Sequence, residues 1–324
     1  MKLREKKVFG QRSVGEVLRD GRKKIFLVFE GTKTEEIYFR ALQEKSNSSI
    51  SSVFANEQDI NLVPIVKNYS DARSSNPLNI IERLQLNVDE SRSGTWSYYT
   101  LLDAIMVVLE EISSISDAER NLYYKMMLEV CKEKYHGWLE MDVVDFNAVA
   151  KELIDAIPYC MNWEYVLENI PQLLSFVSIS YEYGFDKIYC IFDRDKKSFT
   201  EKQIRYVIDV CNKNDFCLCI SNPCFELWLL LHLEQAEMLD ILALKENNIV
   251  AQRKTYAEQM LNKAMKRYGF NYEKNNYNTE LFMDRIQNAI KEEKKLSEDI
   301  NELIDNVGCN IGVTLFSELK LDSR

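Results

Sequence analysis

Three acidic positions stand where apolar runs stop. Residues 188–195 read I-Y-C-I-F-D-R-D, so Asp193 and Asp195 follow a β-branched and aromatic stretch, two positions apart. Far upstream, residues 26–31 read F-L-V-F-E-G, and Glu30 closes that run in the same way. Alternate residues of an extended segment point to one side, which would let the two aspartates face each other. Like charges held close disfavour ionisation, and burial adds to the effect. A divalent cation relieves that conflict. Mg²⁺ takes carboxylate oxygens, keeps several waters and leaves room for phosphate oxygens. The corresponding chemistry is activation of a water or hydroxyl for in-line attack on a phosphodiester. Each acid alone also has a plainer reading. Asp193 can end a strand and Asp195 open a turn, with Arg194 and Lys196 as partners. Glu30 suits a helix N-terminus, whose dipole favours a carboxylate.

For the chemical reading the acids need strands that run side by side. Residues 24–30 (K-I-F-L-V-F-E) and 187–192 read as buried strands, 59–68 as a second candidate strand whose Pro64 favours an edge or a strand end, and 215–222 as a fourth strand. After the first strand, Thr32 and Glu35 have capping-box spacing, and Ile37, Phe39, Ala41 and Leu42 mark a helix. Asn76 and Pro77 read as cap and first position of a second helix over 76–88. Residues 200–214 are amphipathic, and a long apolar helix is predicted from Pro223. Strands alternating with helices imply a mostly parallel sheet, and sites in such sheets gather outside the carboxyl ends of the strands. Glu30 and the aspartate pair both stand at such ends. Residues 92–180 interrupt the alternation with helical periodicity alone. The predicted organisation is a basic arm at 1–22, a first α/β half at 23–91, a helical insertion at 92–180, a second α/β half at 181–234 and a helical region at 235–324.

Composition sets the outer limits. The 324 residues are 46% hydrophobic and 28% charged, enough for a sizeable core and unlike a disordered chain. No apolar run is long enough to span a bilayer, and a cytoplasmic protein is expected. Eight cysteines without a C-x-x-C pair, and two histidines without ligand spacing, exclude the common zinc modules and point to buried structural thiols. The net charge of −10 is unlike a nucleic-acid binder, although residues 1–24 hold nine Lys or Arg against three acids. No G-x-x-x-x-G-K-[ST] occurs, which rules out ATP hydrolysis by a P-loop in this chain. Trp228 and His232 lie in an apolar run and read as core.

Three blocks, F-L-V-F-E-G-T-K-T-E-E-I-Y-F-R-A-L (26–42), I-Y-C-I-F-D-R-D-K-K-S-F (188–199) and I-S-N-P-C-F-E-L-W-L-L-L-H-L-E (220–234), resemble those of the RloB-like proteins. The last block is the most specific. Segments 68–84 and 310–319 match more weakly, and 92–180 has no counterpart in the resemblance. The resemblance implies a Toprim-like domain: a mostly parallel four-stranded sheet flanked by helices, here with the long insertion and a helical C-terminal region. It further implies a Mg²⁺-dependent (or Mn²⁺-dependent) nuclease acting on DNA or RNA, an effector of bacterial abortive infection controlled by a partner ATPase of the ABC or AAA type. Carried over by motif, Glu30 becomes the general acid or base or a metal ligand, and Asp193 and Asp195 become metal ligands. Glu226, one turn into the following helix, is a further catalytic candidate, and Lys33 and Asn222 are candidate substrate contacts. The alternative is a non-catalytic Toprim-like module that docks and regulates an ATPase. Oligomer formation is compatible with both.

Overall fold

A computed structural model describes residues 23–31, 33–47, 58–62, 76–112, 115–135, 141–143, 145–158, 165–166, 168, 181–251 and 253–319. The basic arm, Thr32 of the expected capping box, the 63–68 part of the second strand and most of 159–180 lie outside them. Four strands form the parallel part of the sheet: β1 (Lys23–Phe29), β2 (Gln58–Leu62), β3 (Lys187–Asp193) and β4 (Cys217–Asn222). The order is β2-β1-β3-β4, and each neighbouring pair is parallel. This is the mixed α/β architecture with a mostly parallel sheet that the sequence implies. A fifth strand was not foreseen. Gly308–Cys309, here β5, adds antiparallel to the β4 edge through Ser221 and Asn222. Two residues carry too little periodicity to be read as a strand from sequence.

Each crossover is a helix with a clear start. α1 (Thr34–Asn47) follows β1 and carries Glu35 and Glu36 in its first turn, where the helix dipole favours acids. α2 (Pro77–Ser93) starts at Pro77 with Asn76 accepting from Leu78 N, as its sequence predicts, and runs beyond the expected end at 88 to stop at Gly94 in the left-handed region. Among the described residues three long helices follow: α3 (Tyr98–Ile112), α4 (Asp117–Lys134) and α5 (Phe146–Asp155). α6 (Glu201–Asn214) joins β3 to β4 and opens with a full Thr200–Gln203 capping box.

Side chains alternate along the strands and divide the core into two layers. Ile25, Leu27, Tyr189, Ile191 and Cys219 face Tyr38, Phe39 and Leu42 of α1 and the helices beyond β4. Phe26, Val28, Ile188, Cys190 and Phe192 face α2 and α6. The insertion helices enclose a third apolar cluster around Leu101, Tyr124 and Leu153. Arg83 of α2 and the buried Asp103 of α3 form an ion pair between that cluster and the α/β part.

The apolar run after β4 departs from expectation. Its helix is short, α7 (Phe225–Leu231), and begins two residues after Pro223 with Cys224 at its cap. Asn222, the last residue of β4, lies two positions before that cap. Its Nδ2 donates to Leu303 O at 2.8 Å from a buried position. α7 stays buried all round, with Trp228 stacked on Phe316 at 5.6 Å. Beyond it come α8 (Ile241–Glu246), a small antiparallel pair of strands at 249–251 and 254–255, α9 (Tyr256–Lys266), α10 (Glu280–Met283) and α11 (Ile286–Glu293). Among the described residues no helix is long and apolar enough to cross a membrane.

Candidate active site

The carboxyl ends of β1, β3 and β4 hold a cluster of acids. Glu30 follows the last residue of β1, Asp193 ends β3, and Glu226 stands in the first turn of α7 just after β4. Asp193 is paired in register with Ser221 of β4, so the two residues stand side by side on the sheet. Glu35 joins them from α1. Its carboxylate lies against Gly31, where an added Cβ would meet the Glu35 carboxyl atoms at 2.0–2.5 Å. A side chain at position 31 would displace that carboxylate, to which the Gly31 N–H donates.

A segment from far down the chain closes the cluster. Tyr272 donates to Glu226 Oε1 at 2.9 Å and lies 3.1 Å from Thr34 Oγ1. The Tyr277 hydroxyl donates to Thr34 O at 2.6 Å, tying the same segment to the start of α1. Lys274 Nζ sits 2.7 Å from Glu258 and 3.5 Å from Glu226.

Electrostatics reflect the excess of acids. Burial, then the negative charges of Glu35, Glu226 and Glu30, push the Asp193 carboxyl well above the usual carboxylate range, against the pull of Lys274. Burial pushes Glu35 up to about 7, with Glu226 adding to the rise and backbone N–H groups and Lys274 opposing it. Burial works against the Lys274 charge, but Glu226 and Glu258 prevail and raise its pKa. Four carboxylates with a single ammonium, Lys274, among the charges that act on Asp193 leave an unmet demand for positive charge.

The predicted residues divide. Glu30, Asp193 and Glu226 are brought together; Asp195, Lys33 and Asn222 are not part of the cluster. Asp195 is exposed, and its carboxylate accepts from Lys197 N at 2.9 Å and Ser198 Oγ at 3.0 Å, which shapes the turn after β3. β3 ends at Asp193, and the Asp195 side chain is engaged by the turn that follows rather than by the cluster. Arg194 is not their partner either. It is buried, with Nε donating to Ile304 O at 3.1 Å and a second bond to Phe199 O. Lys196 pairs with Asp305 instead. Lys33 is exposed. His232 is core as expected: Nδ1 meets Trp228 O at 2.8 Å, Nε2 meets Tyr38 Oη at 3.1 Å, and burial lowers its pKa to about 3.

Sequence reasoning missed Glu35, Tyr272 and Lys274. Glu35 carried a signal, since an acid in the first turn beside Glu30 has two uses, capping and site. Lys274 lies in a polar stretch, N-Y-E-K-N-N-Y-N, that offers none.

A family model described as RloB-like protein matches residues 25–317. The chain belongs to the RloB-like family. All four clustered acids, with Tyr272 and Lys274, fall inside the matched span of this RloB-like chain. Among curated proteins and among solved structures, nothing matches it.

The donor set suits a hard divalent cation in chemistry: carboxylate oxygens in excess, and a fully buried Ser221 Oγ beside Asp193 without a hydrogen-bond partner. As the side chains stand, no three His, Cys, Asp or Glu among the described residues form a metal-ligand group.

Proposed function

We propose that this RloB-like protein is a Toprim-type, Mg²⁺- or Mn²⁺-dependent nuclease, an effector of bacterial anti-phage defence gated by a partner ATPase. The observation that carries this reading is the gathering of Glu30, Glu35 and Glu226 around Asp193 beyond the strand ends, with Lys274 beside Glu226. Glu30, Asp193 and Glu226 would hold the cation, which supplies Lewis-acid polarisation of a phosphodiester and a water of lowered pKa. Glu35, with its carboxyl pushed up to about 7, is suited to carry a proton to or from the reacting oxygens near neutral pH. Tyr272 orients Glu226 through its hydroxyl. Lys274 balances the acids at the rim and faces the solvent from which a phosphate arrives. Asp195 has a supporting role, holding the turn that follows Asp193. Without a P-loop of its own, the chain relies on another protein for any ATP-driven control.

A second reading keeps the same cluster but makes the protein a regulatory module that docks an ATPase. The observation favouring it is the separate apolar core of the helical insertion, a unit suited to contact a partner. A titration of Mg²⁺ and Mn²⁺ with labelled single-stranded DNA, duplex DNA and total RNA separates the two. Cleavage by wild type and its loss in Asp193→Ala is the expected result. Silence of the wild type on every substrate, with the partner ATPase present, leaves only the docking role.

A further inference from the structure

Next to the carboxylates, the charge of the molecule reverses. Residues 253–274 hold six Lys or Arg against two Glu, in a chain whose net charge is −10. Two aromatic side chains in this segment are solvent-facing, Tyr268 at 42% and Phe270 at 39% exposure. Lys263, Lys266 and Lys274 are exposed as well.

Their arrangement is a ribbon laid back along α9. After the helix ends, Phe270 N donates to Met265 O at 3.1 Å, and Tyr272 N donates to Asn262 Oδ1 at 3.0 Å. Lys274 Nζ then reaches Glu258. The chain from 268 to 274 thus retraces the helix toward its start, where the acids are. At 1.5 Å per residue, the stretch from Met265 back to Glu258 is on the order of 10 Å. The Arg285 guanidinium stacks on Tyr268 at 4.8 Å from its ring centre, adding a cation beside the platform. Of the nearby acids, Glu258 is paired with Lys274, Glu234 with Arg267 and Asp284 with Lys45, and Glu273 is exposed.

Resting on the phosphodiesterase reading, we propose that this ribbon and the adjoining face of α9 are a track for single-stranded nucleic acid. Tyr268 and Phe270 are the stacking platforms, and Lys263, Lys266 and Lys274 meet the phosphates on the way to the carboxylates. A duplex hides its base faces, so aromatic platforms favour an unpaired strand; base–aromatic stacking is sequence-tolerant and strong enough to matter. Clustered lysines supply the salt-dependent part of the affinity.

The test is fluorescence anisotropy with a labelled mixed-sequence oligonucleotide, as single-stranded DNA, single-stranded RNA and blunt duplex, in Ca²⁺ and again in EDTA. The full chain should bind at least one single strand more tightly than the duplex. Phe270→Ala and Tyr268→Ala should each weaken that binding by roughly tenfold, the scale of one lost stack. Phe270→Tyr should keep it, and Phe270→Leu should not. Lys266→Glu should lower the dependence of log affinity on log salt by about one. Melting temperatures close to wild type establish that these surface variants are folded. A preference for duplex, undetectable binding of every strand, or aromatic variants that bind like wild type would each overturn the track. Binding that depends on Tyr268 and Phe270 in a protein that never cleaves leaves the track standing and removes only the nuclease reading.

Discussion

Asp193 and Glu35 are carboxyls whose charged form the metal-free fold disfavours. If the cluster exists to hold a cation, then removing one of its charges relieves repulsion in the metal-free protein. Asp193→Asn should melt at the same temperature as wild type or higher in EDTA, while cleavage in Mg²⁺ falls by orders of magnitude. An early-melting variant that still cuts would return Asp193 to an ordinary strand terminator. Glu35 adds a pH signature. Its folded pKa, about 7, lies above its ordinary value of 4.5, so the folded state holds the proton more tightly. That contribution to stability is complete below about pH 4.5 and is lost as pH rises through 7. The metal-free melting temperature should therefore fall more steeply across that window in wild type than in Glu35→Gln. Parallel curves would show that Glu35 does not titrate there. At this scale the sequence was informative where chemistry is local. An acid after an apolar run is visible, whereas Lys274 gains its meaning only from neighbours distant in the chain.

At the scale of elements, the parallel strands and their crossover helices were legible because period-2 and period-3.6 patterns and caps such as Thr200 and Asn76 are written in adjacent residues. The long helix expected after Pro223 failed for a physical reason. α7 is apolar on every side because it is buried on every side, and an apolar run does not say how far a helix continues. The edge strand β5 is set by tertiary contacts. Asn310 beside it accepts from Ile220 N at 2.7 Å and donates to Leu218 O at 3.1 Å, so one amide side chain completes hydrogen bonds along β4. Asn310→Ala should cost about 2–4 kcal/mol in urea unfolding, because it strands a buried donor and a buried acceptor. A loss under about 0.5 kcal/mol would mean that β4 is held by its pairing with β3 alone. Lys274→Met acts on the segment that closes the site. Leaving Glu226 and Glu258 without their ammonium should cost on the order of 2 kcal/mol, less than a fully buried pair loses, because half of the Lys274 side chain is solvated. Addition of Mg²⁺ should restore part of that loss, as read by melting temperature; an identical deficit with and without the ion would argue against a cation site there.

For the molecule as a whole, two bodies of apolar packing are evident: the layers on either side of the sheet, and the cluster inside the insertion helices. The buried pair Arg83–Asp103 spans them, and burial raises the Asp103 carboxyl to about 6 despite the guanidinium beside it. Amide hydrogen exchange should report the insertion core around Leu101, Tyr124 and Leu153 as a cooperative unit with its own opening free energy. Exchange of these amides in step with Ile191 and Leu27 would instead make the chain a single unit. Helical periodicity made the insertion plain in the sequence. Its place against α2 was not, since a lone arginine on a helix surface does not announce a partner 20 residues away.

The closing of the acid cluster by a late segment has a consequence for synthesis on the ribosome. Tyr272 lies 46 residues downstream of Glu226, and Lys274 follows it. At roughly 5–20 residues per second, the nascent chain carries all four acids for about 2–10 s before the Lys274 ammonium is made. Translation that stops early yields a protein that has the acids but lacks the lysine that offsets them. Such fragments lack both the segment that closes the cluster and the basic ribbon beside it. If the acids are catalytic, the order of synthesis leaves an incomplete chain without its finished site.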